Sequence, residues 1–191
     1  MNIAATAAVS LCLAAAACGG DDPKERAQAR FEEYRVAASG QSDAEQELGK
    51  TFRQLARAAG ERDPRAVAAA AERGSSTAAR MQQLLNAEIT AAVAIAEYEP
   101  AAEHARALAD ALRRSGVGLR AVQEQLAIAV RDPLLHERAN EEQVRRLSAQ
   151  SLRHSVPAAF ARRRAARELA LVLDVEPPFD TMFDLSLGSR R

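Results

Sequence analysis

Apolar residues recur three and four positions apart through most of the chain, the spacing of one face of an α-helix. Between residues 100 and 131 the stripe runs Ala105, Leu108, Leu112, Ser115, Leu119, Val122, Leu126 and Ala129, with Ser115 its one polar member. It passes Gly116 and Gly118 without losing register, which predicts one continuous helix there. Residues 64 to 98 carry Val67, Ala71, Gly74, Ala78, Met81 and Leu85, then shift by one to Ile89, Ala92 or Val93, and Ala96. Such a shift is a stutter. Residues 24 to 60 share one seam of Ala27, Phe31, Tyr34, Ala38, Gln41, Glu45, Leu48, Phe52, Leu55 and Ala59, interrupted at Ser39-Gly40-Gln41-Ser42. Either a single helix carries a polar layer at that point or two short helices lie nearly end to end. Ser42-Asp43-Ala44-Glu45 fits a capping box, which favours two.

Helix boundaries are marked by Asp63-Pro64, Glu99-Pro100 and Asp132-Pro133. Each sets an acid before a proline, suiting a capping residue followed by Pro in the first turn, where its missing N–H costs nothing. Helices are therefore expected at about 24–39, 43–60, 64–98, 100–131 and 133–175, with Pro157 kinking the last. The fold class expected is all-α: an antiparallel long-helix bundle of four-helix type, with a broken first helix. The tetratricopeptide pattern of Trp, Gly and Tyr is absent, which disfavours a solenoid of repeats.

Composition changes the expected core. Of 191 residues 48% are hydrophobic but only 4% aromatic, with no Trp and alanine at about a quarter of positions. Alanine lets helices approach closely, yet each buries little area at about 25 cal/mol per Å², so the core should be long and thin. The 26 basic and 26 acidic residues cancel, which removes the global basic excess expected of a nucleic-acid binder. The cancellation hides an uneven distribution. Arg145, Arg146, Arg153, Arg162, Arg163, Arg164 and Arg167 flank Pro157 with no acid between Gln143 and Arg167. They form either a solvated face in a chain with only two lysines or a face suited to anionic lipid headgroups.

The two ends differ from the body. Residues 1–17, MNIAATAAVSLCLAAAA, carry no charged side chain and end in small residues before Cys18. The run is short for a membrane span and has the form of a cleavable export signal. Together with Cys18-Gly19-Gly20-Asp21-Asp22, it resembles the lipobox of bacterial lipoproteins. That resemblance, confined to residues 1–22, implies removal of 1–17, diacylglycerol and palmitate on Cys18, and residues 18–23 as a tether at the outer face of the cell membrane. An ordinary secreted signal cut nearby is the alternative. Cys12 follows the bulky Leu11 and would leave with the signal, so no disulfide framework remains. At the other end Pro177 and Pro178 stop the helix, and residues 176–191 form a tail. Its Phe179, Met182 and Phe183 either dock on the body or meet a partner. The body, 24–175, resembles helical-bundle lipoproteins of high-GC bacteria that carry no assigned activity, through its Ala/Arg bias and the Pro100–Asp132 stretch with His104.

Catalytic chemistry finds few candidates. A two-metal carboxylate bundle needs Glu three residues before His, but Ala101, Pro133 and Ser151 precede His104, His136 and His154. Glu97, Glu99, Glu103 and His104 cluster around a turn, where acids commonly favour the helix dipole. No Gly-x-Ser-x-Gly elbow or phosphate-binding glycine loop occurs. Gly74-Ser75-Ser76-Thr77 marks a helix approach or bend, or else a ligand-lining patch. Glu45, on the seam, is the carboxylate to inspect for burial. The expectation is a non-enzymatic, membrane-tethered envelope lipoprotein without a cofactor, acting as a binding or scaffold module. Its expected partners are the membrane and an envelope protein, not nucleic acid. The alternative is a bundle that holds a small apolar ligand or lipid.

Overall fold

The computed structural model describes residues 22–178. Residues 1–17, expected to be an export signal, Cys18 and the tail residues Phe179, Met182 and Phe183 lie outside that range. Four long helices account for the described chain: α1 (Pro23–Gly60), α2 (Pro64–Ile95), α3 (Ala102–Arg131) and α4 (Arg138–Leu173). A short 3-10 turn, Glu99–Ala101, precedes α3. Connections of a few residues fold them up and down, so the chain is an all-α antiparallel bundle. Among the described residues no helix is long and apolar enough to cross a membrane.

Asp63 caps α2 as expected and Asp22 caps α1 in the same way, whereas the turn at Glu99-Pro100 follows Tyr98 and has no side-chain cap. Asp22 accepts from Lys24 N at 2.8 Å, and Asp63 accepts from Arg65 N and Ala66 N, each at 3.0 Å. The acid at 132 works differently from expectation. Its carboxylate accepts from His136 N, Glu137 N and Asn140 Nδ2 and holds a turn, so α4 begins at Arg138 rather than at Pro133. These bonds, led by that from Asn140, also hold the Asp132 carboxyl below its ordinary pKa.

The expected break in the first helix is absent. α1 is continuous for 38 residues through Ser39-Gly40-Gln41-Ser42. The polar layer is instead accommodated within the seam, with Gln41 buried and Ala44 fully buried. A capping box contributes only when the preceding backbone leaves the helix. Here burying Ala37, Ala38, Ala44 and Leu48 on one line favours continuity. α4 likewise runs through Pro157 without interruption, losing one donor there.

The stutter expected in α2 is found only in part: Ala92 is buried and Ile89 and Ala96 are half-buried against the core, but the unshifted phase is buried as well. Its buried positions continue Met81, Leu85, Glu88, Ala91, Ala92 and Ile95, while Val93 is exposed. Keeping the three-four phase places a glutamate inside the bundle. In α3 the expected stripe is buried or half-buried throughout, and the helix is unbroken at Gly116 and Gly118. Both glycines serve close approach: a Cβ on Gly118 would lie 2.1 Å from Ser155 Oγ, and one on Gly116 would lie 3.3 Å from Leu85 Cδ2. The Gly74 cluster marks a similar approach, with Ser75, Ser76 and Thr77 returning their hydroxyls to carbonyls four residues back.

Packing is uneven around the bundle. α1 lies along α2, α2 along α3, and α3 along α4, whereas α1 and α4 scarcely meet. Gln28 Nε2 donates to Leu173 O at 2.7 Å, closing the seam at one end. Further along, the two helices part. Between them lies a groove.

Candidate functional site

The groove between α1 and α4 has a volume of about 970 Å³, at the upper end of the roughly 300–1,000 Å³ of small-molecule sites. Its floor lies along the stripe of α2 and α3, Met81, Leu85, Leu119 and Val122, with Leu48 of α1 beside them; of these Val122 is half-buried and the others are buried. Ser39, Ser42 and Glu45 of α1 form one bank. Val156, Ala159, Arg163 and Arg167 of α4 form the other, and Pro177 and Pro178 line it after α4 ends.

Beneath the groove lies a buried ionic cluster. Glu88 of α2 is fully buried, and its Oε2 stands 2.8 Å from Arg162 Nη2 on α4. The guanidinium approaches out of line, so neither Glu88 oxygen accepts a directed hydrogen bond. Arg162 also donates through Nε to Tyr34 Oη at 3.4 Å, and its Cζ lies 6.0 Å from the Tyr34 ring centroid. Tyr34 packs in turn on Phe31, ring centroids 5.6 Å apart. One arginine thus links α1, α2 and α4 where α1 and α4 otherwise scarcely meet.

The electrostatics follow from burial. Loss of hydration pushes the Glu88 carboxyl up to about 7; Arg162 opposes that rise, and Glu45 adds to it. Burial likewise raises the Tyr34 phenol to about 12, against the pull of Arg162. Above the pair, Gln41 is 5% exposed and lines the groove. Its Nε2 reaches Glu45 Oε1 at 3.5 Å, but its Oε1 is buried without a hydrogen-bond partner. An orphaned buried acceptor is costly unless a donor arrives.

The expected site residues divide. Arg162 does not belong to an outer basic face: its side chain is 12% exposed and turned inward to Glu88. Arg145, Arg146, Arg153, Arg163, Arg164 and Arg167 are exposed. Of these, Arg145 pairs with Glu141 and Arg164 with Glu168, while Arg163 and Arg167 border the groove. Glu45 is exposed at the groove's edge; the buried acid is Glu88, which was not among the residues expected from sequence. The uninterrupted spacing Met81, Leu85, Glu88, Ala92, Ile95 was the available signal. His104 lies 3.4 Å from Glu168. Among the described residues no group of three or more His, Cys, Asp or Glu is placed to hold a metal.

The arrangement offers an apolar trough, a cationic bank and one unsatisfied acceptor. No protein-family model, curated protein or solved structure matches this chain.

Proposed function

We propose that this protein is a non-enzymatic binding module, exported and tethered to the outer face of a membrane through a lipidated Cys18, whose groove holds a single-chain amphiphilic anion. The groove reading is carried by one observation: along the sparsely paired seam of α1 and α4 runs a groove lined by apolar side chains of the core and, on one bank, by Arg163 and Arg167. An acyl chain lies along Met81, Leu85, Leu119 and Val122, and its acidic headgroup faces Arg163 and Arg167. Gln41 Oε1 accepts from a hydroxyl or protonated oxygen of the headgroup, relieving its burial. The tether rests on the sequence of residues 1–22 alone.

Titration calorimetry with dodecyl phosphate, below its micelle concentration, tests the groove in the full chain. A single saturable site is expected, about tenfold weaker in Arg163→Glu/Arg167→Glu, with dodecanol binding still more weakly. Equal affinity for the charged and neutral amphiphile, or heat that never saturates, would overturn it. The tether is tested separately by radiolabelled palmitate, whose incorporation should vanish in Cys18→Ala; persistence would sink the assignment.

A further inference from the structure

The outward side of α4 carries a pattern that the groove does not explain. At about 100° per residue, the six exposed arginines Arg145, Arg146, Arg153, Arg163, Arg164 and Arg167 fall within one arc of about 100°. No acid occurs between Gln143 and Arg167, and the acids just beyond, Glu141 and Glu168, pair with Arg145 and Arg164 at the two ends of the face. Large apolar side chains share the arc: Val156 is 50% exposed, Phe160 57% and Leu171 74%, with Leu152 at its edge. Among the described residues the other large exposed apolar side chains are Val36 and Val93, so the concentration on α4 is specific to that helix. Exposed Phe160 and Leu171 among arginines give this arc the composition of an interfacial amphipathic helix.

We infer that this face of α4 lies flat on an anionic lipid bilayer, with Val156, Phe160 and Leu171 at the boundary of headgroups and acyl chains and the arginines on lipid phosphates. Opposite charge draws the face to the surface, and the apolar side chains then leave water for the interface. Arginine suits this mixture because its stem packs beside apolar neighbours while its guanidinium stays with phosphate. An acidic protein surface would neutralise the same charges but would gain little from a dispersed apolar set requiring immersion. Val156, Arg163 and Arg167 also border the groove, so the docked face turns the groove's mouth toward the bilayer. The inference stands on exposure and charge along α4, independently of what the groove holds.

The absence of Trp makes a direct probe available. In the full chain, Phe160→Trp supplies a lone indole on the proposed face, and Val93→Trp supplies the reference on α2. Vesicles of phosphatidylcholine mixed with phosphatidylglycerol should shift the indole emission of the Phe160→Trp chain to the blue, and brominated acyl chains should quench it. Pure phosphatidylcholine should do neither, molar salt should reverse the effect, and the Val93→Trp reference should stay unchanged. Adding Arg146→Glu/Arg153→Glu, which lie outside the groove, should weaken vesicle partitioning about tenfold or more. Should that variant lose helicity by circular dichroism, Arg153→Gln alone is read and partitions more weakly than its parent. Dodecyl phosphate should still bind the charge-reversed chain at wild-type affinity, so the groove and the face fail separately. Emission of the Phe160→Trp chain unmoved by anionic vesicles, an equal response to pure phosphatidylcholine, or a parallel response from the Val93→Trp reference would overturn the inference.

Discussion

Arg162→Leu is expected to destabilise the bundle by about 3–5 kcal/mol at pH 8, because it strips a fully buried carboxylate of its counter-charge. At pH 5 the loss should be smaller by about 1 kcal/mol, the most that proton uptake by Glu88 over this range can relieve. Glu88 has its folded pKa raised from 4.5 to about 7, so the folded chain holds a proton there that the unfolded chain releases between those values. Its contribution to stability is therefore fully present below about 4.5 and is lost as pH rises through about 7. That shift corresponds to about 3 kcal/mol in order of magnitude. Protonated Glu88 needs no cation, so part of the cost of removing Arg162 is relieved at acid pH, while the lost contact with Tyr34 remains at both. Glu168, whose pKa is depressed by the Arg164 hydrogen bond, acts with the opposite sign and only as pH falls through the acidic range. Glu88→Leu/Arg162→Leu should recover most of the stability, since an apolar pair of similar volume avoids burying either charge. Urea unfolding followed by circular dichroism at the two pH values measures this. Equal losses at both, with no recovery in the double variant, would contradict the assignment of this pair.

Leu126→Ala is expected to cost about 2–5 kcal/mol. Leu126 is 1% exposed, and its Cδ2 stands 2.9 Å from where a Cβ on Gly74 would lie, with Thr51 Cγ2 3.1 Å from the same point. The leucine of α3 thus fills a socket made by α2 and α1. Gly74 sits mid-helix, where alanine would ordinarily be preferred by about 1 kcal/mol. Gly74→Ala alone should nevertheless destabilise, because the added methyl collides with Leu126 and Thr51. Combined with Leu126→Ala, the same methyl partly fills the vacated space and should stabilise relative to the single leucine variant. The change of sign between the two backgrounds is read from chemical denaturation of the four chains.

The bundle was legible because each long helix carries its own three-four stripe, and the stripes through Val67 to Leu85 and Leu108 to Leu126 reappear as buried positions. Errors arose where local chemistry competed with that period. Ser42-Asp43-Ala44-Glu45 has the side chains of a cap, but a cap acts only at an end, and tertiary burial of Ala38, Ala44 and Leu48 overrides it. At Glu88 a preference for apolar residues in the core shifted the α2 stripe to Ile89, whereas the fold also keeps the unshifted phase and matches the acid with Arg162. Sequence proximity alone groups Arg162 with its neighbours; at about 100° per residue it points away from the other six. The groove was not legible at all. It exists because α1 and α4 diverge, and divergence is a property of how helices pair, which no single stripe encodes.

Binding in the groove is the central claim, and Met81 reports on its floor. The chain has three methionines, Met1, Met81 and Met182, and Met81 is the one within the described residues. In the full chain labelled with methyl-13C methionine, titration with dodecyl phosphate should move the Met81 methyl resonance saturably, with the same midpoint as the calorimetric binding curve. A Met81 resonance that stays in place while the amphiphile binds would contradict the account.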